Sequence, residues 1–188
     1  MADALFEPEG APAASQPKPI RALTVKQPWA HMIAHCGKTA ENRTWPTGYR
    51  GLLAIHAGAC SGWDPAGERS PEARAAWREW SAALPPPNIT GPLRRAAMHI
   101  GFGAVIAVAE VAGCHASGPR GCDGSWPGLD GRLRPRCSPW AVNGQHHWQL
   151  AGVRPLAEPV PCKGTLGLWR LSEDVEQAVR AQLEVSRG

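Results

Sequence analysis

Residues 101–112, GFGAVIAVAEVA, constrain the fold more than any other stretch of the chain. The run is apolar, rich in β-branched side chains and bounded by glycine, with Glu110 as its one charge. It falls short of the roughly 18 consecutive apolar residues that a membrane-spanning helix needs. A run of this length and composition is a strand buried on both faces. Such a strand demands neighbours on both edges and cover above and below. A chain of 188 residues can supply these within one domain.

The rest of the sequence offers those partners. IRALTV at 20–25, LLAIH at 52–56, His147–Leu150 and Leu166–Leu171 read as further short strands. Gln27-Pro28-Trp29 opens a short helix that Gly37 stops, with Trp29 and Ile33 sharing its inner face. A second helix starts at the Ser70 cap and Pro71, with Trp77, Trp80 and Leu84 at core spacing. Ser172 caps a last one, where Val175, Val179 and Leu183 line one side. The expectation is an α+β fold, a small mixed β-barrel with flanking helices. Residues 1–18 read as a disordered tail, 19–172 as the domain, 113–147 as a long insertion within it, and 173–188 as the C-terminal helix.

Charge and cysteine usage narrow the partners. The formal net charge is +4, and the acidic residues concentrate at the two ends, which leaves a more basic body. A basic body favours a polyanion such as nucleic acid, although Arg outnumbering Lys also fits a GC-rich coding bias. The opening MADALFEPEGAPAASQPKP carries acids and prolines where a secretory signal has a basic end and an apolar run, so the expected compartment is the cytoplasm. There the six cysteines are thiols or metal ligands rather than a disulfide framework. No Gly-rich segment has the spacing of a dinucleotide fingerprint or a P-loop, and no cofactor is required. Nine tryptophans against two Phe and one Tyr imply an unusual core or a stacking surface.

At residues 22–57 the segments ALTVKQPWA, GKTAENRTW and YRGLLAIHA resemble the start of an ASCH domain, of the PUA-like superfamily. The family's G-x-K-x-x-E-x-R run stands here as Gly37, Lys38, Glu41 and Arg43. GAVIAVAEV resembles the family's central strand, and HWQL with PVPCKGTLGLW its closing segment. The resemblance implies a PUA-like barrel whose cleft binds RNA or a nucleotide-like ligand. It selects less firmly among RNA binding, transcription coactivation and nucleoside hydrolysis.

The run itself places two cations and a carboxylate within six residues, and an extended backbone puts Glu41, Arg43 and Trp45 on one side. Arg43 and Lys38 suit a phosphate, Trp45 or Tyr49 a stacked base, and Glu41 an exocyclic amine. Glu110, alone in its apolar strand, calls for Lys38 or Arg43 as a partner. Lys26 and Gln27, at the start of a helix whose amides could receive a phosphate, are further ligand-binding candidates, as are Arg50 and His56. The plainer reading makes Glu41–Arg43 and Glu110–Lys38 salt bridges that organise the fold, and His56 a core histidine.

One ASCH branch hydrolyses acetylated cytidine with a lysine, a threonine and a glutamate. By that resemblance Lys38 matches the lysine and Glu110 the glutamate, but Glu41 occupies the threonine's place. The expected function is therefore binding of RNA or a modified nucleoside. Its alternatives are a hydrolase acting through Lys38 with Glu41 or Glu110, and a protein-interaction adaptor. No membrane partner is expected, and the oligomeric state is not fixed.

A separate cluster of metal-binding residue types occupies the insertion. Cys114, His115, Cys122 and Cys137, with His146 and His147 nearby, would suit a structural zinc. The set of four expected as ligands is Cys114, His115, Cys122 and Cys137. The spacing lacks a C-x-x-C knuckle, and buried thiols with loop histidines are the simpler account. Arg132, Arg134 and Arg136 alternate in the same region as a backbone-contacting patch or a solvated loop.

Overall fold

The structure is a computed structural model that describes residues 17–61, 74, 75, 78, 82, 102–118, 121, 122, 126, 127, 133, 134 and 137–185. Residues 1–16 of the expected tail, Trp63, Trp77, Trp80, Leu84, Arg132 and Arg136 lie outside that set, as do the side chains of Cys60, Trp126 and Arg134. Of the expected second helix, Arg74, Ala75, Arg78 and Ala82 are described, and all four are helical.

The apolar run at 101–112 becomes the long strand β4 (Ala104–Gly118), central in the sheet. Around it stand β1 (Arg21–Gln27), β2 (Ala40–Arg43), β3 (Gly51–Ser61), β8 (His146–Pro161) and β9 (Leu168–Arg170). The order across the sheet is β2-β8-β4-β3-β1-β9, with the short β5 (Gly121–Cys122) added to the end of β4. Two short strands, β6 (Trp126–Pro127) and β7 (Leu133–Arg134), form a separate ribbon. β1 runs parallel to β3, and the other pairs are antiparallel. The fold is α+β, as expected. The described strand path is open, however: no ladder joins β2 to β9, so the closed barrel is not part of the observed pairing.

Each face of the sheet has its own apolar cluster. Leu23, Leu53, Ile55, Ala109, Val111 and Trp148 gather on one face under α1 (Trp29–His35), whose Ile33 is buried against them. On the other, α2 (Glu173–Val185) buries Val175, Val179 and Leu183 against Ala22, Ala54, Val105 and Val108. This is the stripe expected of the last helix, and the Ser172 carbonyl accepts from the Glu176 amide at its start. α1 ends at His35 with Cys36 as its C-cap, and Gly37 follows in the left-handed region at φ 67°, which a Cβ would disfavour.

Both β4 and β8 run well past the bounds legible in the sequence. β8 carries Pro155, Pro159 and Pro161, which would break a regular ladder. Register shifts between Val105 and Ala107, Val108 and Glu110, and Val111 and Gly113 interrupt the β4–β8 pairing. Bulges of this kind bend both strands and make room for residues that cannot donate.

Candidate functional site

β2 is an edge strand, and its pairing with β8 sorts its side chains. Glu41 stands opposite Trp148 and shares the face of the first apolar cluster, while Asn42 stands opposite His147 on the reverse face. Lys38, just before the strand, joins Glu41 at the end of that cluster. Its Nζ donates to Glu41 Oε2 at 2.7 Å and to the Ala40 carbonyl. The ammonium also lies 5.9 Å from the centre of the Trp29 ring. Lys38 is 1% exposed and Glu41 6%.

Arg43 completes a three-residue charge chain. Its Nε lies 3.1 Å from Glu41 Oε1, an ionic contact without hydrogen-bond alignment, and Nη2 donates to the Thr24 carbonyl at 2.8 Å. The Arg43 side chain keeps 23% of its surface, so it is the accessible one of the two cations. Glu41 therefore holds one cation within the fold and braces another at the surface.

Several expected site residues are placed elsewhere. Lys38 pairs with Glu41, not Glu110. Ala109 and Val111 face the first cluster, so Glu110 between them points to the other face, where it is exposed and needs no buried partner. Lys38 is too buried to meet a phosphate in this conformation. Lys26 is exposed on β1, while Gln27 is buried and its Oε1 accepts from the His31 amide at 3.0 Å, so the chain itself takes up part of the helix start expected to receive a phosphate. Arg50 is exposed and donates to the Thr47 and Tyr49 carbonyls. His56 packs edge-on to Trp169 with Nε2 at 3.1 Å from the Cys162 carbonyl, a core histidine away from Lys38. Burial pushes its pKa below the usual imidazole value, and the Cys162 carbonyl opposes that in part.

The aromatic candidates are half-buried. Trp45 meets Trp148 edge to face at 4.6 Å between ring centres, and its carbonyl accepts from Trp148 Nε1. The Tyr49 hydroxyl donates to the Leu52 carbonyl at 2.6 Å, and burial pushes its phenol above the usual range. Trp29, read from the sequence mainly as a core residue, is the ring that lies over the Lys38 ammonium.

On the reverse face, four side chains could hold a metal ion: His115, Cys122, Cys137 and His147, with one donor atom each and all donors within 4.8 Å of one another. His147 Nδ1 lies 3.4 Å from Cys122 Sγ and 3.3 Å from Cys137 Sγ, and His115 Nε2 lies 3.4 Å from Cys122 Sγ. Three of the four were expected; His147 replaces Cys114. The strand period decides this. Cys114 pairs with Trp148 and faces the first cluster, where its Sγ accepts from the Thr47 amide, whereas His115 pairs with His147 on the reverse face. Burial and then the neighbouring Cys122 thiol push the Cys137 thiol up to about 12.

A comparison with protein families decides the lineage: the ASCH domain model matches residues 23–118, just over half of the sequence. The chain belongs to the ASCH domain family. A comparison with curated proteins finds no match. The ASCH match contains Lys38, Glu41, Arg43 and His115, and it stops before Cys122, Cys137 and His147. Among the described residues no helix is long and apolar enough to cross a membrane.

Proposed function

We propose that this ASCH domain binds RNA or a nucleotide-like ligand at the β2 edge, with Arg43 meeting a phosphate and Trp29 or Trp45 offering a ring face to a base. The observation that carries this is the state of Arg43: partly exposed, fixed by Glu41 and the Thr24 carbonyl, and so pre-oriented for an anion. Lys38 and Glu41 act from below as positioning residues. The excess of basic over acidic residues adds a long-range attraction for a polyanion. The hydrolase reading has less support. Lys38 Nζ is engaged by Glu41 and the Ala40 carbonyl, and Glu110 faces away from both. The adaptor reading rests on no specific observation. The metal suited to the His/Cys cluster is a structural zinc, with no part in ligand chemistry.

Fluorescence anisotropy with a single-stranded RNA oligonucleotide tests the reading across a salt series. Arg43→Ala should weaken binding several-fold and lower the salt slope by about one phosphate contact. Arg50→Ala, an exposed arginine outside the charge chain, should change affinity less. Equal affinities for wild type and Arg43→Ala, or affinity with no salt dependence, would remove the proposed interface.

A further inference from the structure

We propose that His115, Cys122, Cys137 and His147 form a resident four-coordinate zinc site, which fastens the segment after β4 to the sheet edge. The donors come from four places in the chain: the far part of β4, β5, the bend at 137 and the start of strand β8. Their distances fit one ion. Tetrahedral zinc, with Zn–S near 2.3 Å and Zn–N near 2.0–2.1 Å, sets neighbouring donors about 3.3–3.8 Å apart. The three nitrogen–sulfur distances of 3.3–3.4 Å lie within that range, slightly inside the about 3.5–3.6 Å of an ideal nitrogen–sulfur pair.

The surroundings of the donors suit a cation. His147 Nε2 lies 2.8 Å from the Val142 carbonyl, which fixes the proton on Nε2 and leaves the Nδ1 lone pair aimed at both sulfurs. The Cys137 amide lies 3.4 Å from Cys122 Sγ and donates to it, a contact that strengthens on a thiolate. Two thiols and two imidazoles are the donor set of tetrahedral zinc and poorly suit magnesium or calcium, which take oxygen ligands. On binding, each Cys Sγ–H gives its proton to solvent as a Zn–S bond forms. Two thiolates then balance the charge of the ion. All four positions are filled by protein, so the site is closed and structural rather than catalytic.

The site also has something to hold. Next to Cys137, Ser138 Oγ lies 3.2 Å from Thr39 Oγ1; Asn42 donates to the Trp140 carbonyl at 2.9 Å and accepts from the Val142 amide at 3.0 Å. These contacts seat the 137–142 turn on β2, the strand that carries Glu41 and Arg43. The described residues between 118 and 137 pair in two-residue ladders. An ion that ties Cys122 and Cys137 to β4 and β8 supplies anchorage beyond these short ladders.

Metal analysis of the full chain, purified without a histidine tag, tests this. Wild type should carry about one zinc per chain. Cys122→Ser and Cys137→Ser should lose most of it, and Cys114→Ser should keep it. If the serine variants fail to fold, cobalt exchanged into wild type gives the same answer. It should show the strong visible bands of a four-coordinate ion with thiolate charge transfer. Wild type without zinc and unable to take it up overturns the proposal, as does iron in its place. So does a zinc content lost in Cys114→Ser but kept in Cys122→Ser, or an octahedral cobalt spectrum.

Discussion

Glu41→Gln is the substitution that most directly exposes how the charge chain is held. The change keeps the shape of the side chain and removes its charge. At 2.7 Å and an effective dielectric near 20, the Lys38–Glu41 attraction is about 6 kcal/mol. The Arg43 contact at 3.1 Å is about 5 kcal/mol on the same basis. Both are offset by desolvation of several kcal/mol per buried ion, so the net value of the pair is small. Removing one partner has a different balance: the Lys38 ammonium stays 1% exposed, with the Ala40 carbonyl as its remaining strong acceptor. Breaking a buried pair in this way costs about 3–5 kcal/mol. Arg43 can rehydrate and adds little. Urea denaturation of wild type, Glu41→Gln, Lys38→Met and the Lys38→Met/Glu41→Gln double variant reads the effect. Each single change should lower stability by that amount, and Tm by on the order of 10 °C. The double variant should be less damaged than the sum of its parts by about 2 kcal/mol or more. A Glu41→Gln cost below about 1 kcal/mol, with additive behaviour in the double variant, would show that Lys38 does not depend on this carboxylate.

Two further predictions concern the core. A Cβ on Gly164 would collide with His56 Cε1 and come within 2.8 Å of Thr24 Oγ1. The imidazole is packed in place, so Gly164→Ala should cost about 1–3 kcal/mol in urea denaturation. Gly113→Ala should cost less, because the group it meets is the end of the flexible Gln149 side chain; equal costs would contradict the packing described. For His56, burial lowers the folded pKa, so the unfolded chain takes up a proton first as pH falls. Its stabilising contribution is complete above about pH 6.5 and is lost below that value, toward the lower folded pKa. His56→Gln should flatten the pH dependence of the urea midpoint between about pH 7 and 5. An unchanged slope would argue that this imidazole titrates as it does in water.

Much of this architecture was legible in local pattern. The β-branched run at 101–112 became the central strand, and the stripe of Val175, Val179 and Leu183 became the buried face of α2. The period of two correctly set Glu41 and Arg43 side by side. What local pattern could not convey was long-range register. Whether Cys114 or His115 turns toward Cys122 depends on pairing with β8, more than thirty residues away. Glu110 was misread for a related reason: an apolar run buried on both faces ends one residue earlier on one face than on the other. The prolines of β8 hid its length, because bulges that accommodate them are properties of the pair of strands. Burial of Lys38 was equally invisible, since nothing in a lysine's sequence context states that its ammonium will be enclosed.

The first and last described segments are stapled together. Arg180 Nη2 donates to the Lys18 carbonyl at 2.6 Å and to Glu176 Oε1, and the same carboxylate oxygen accepts from the Ile20 amide at 3.2 Å. Strand β1 is thus entered beside the helix in which the described chain finishes. Two ends held this close make the domain a natural cassette: it could be spliced into a surface loop of a host protein, or its ends joined and new ones opened elsewhere, with little disturbance of its sheet. The β2 edge, with the ligand interface proposed on it, would then be carried as a portable unit whose orientation is set by one short double linker.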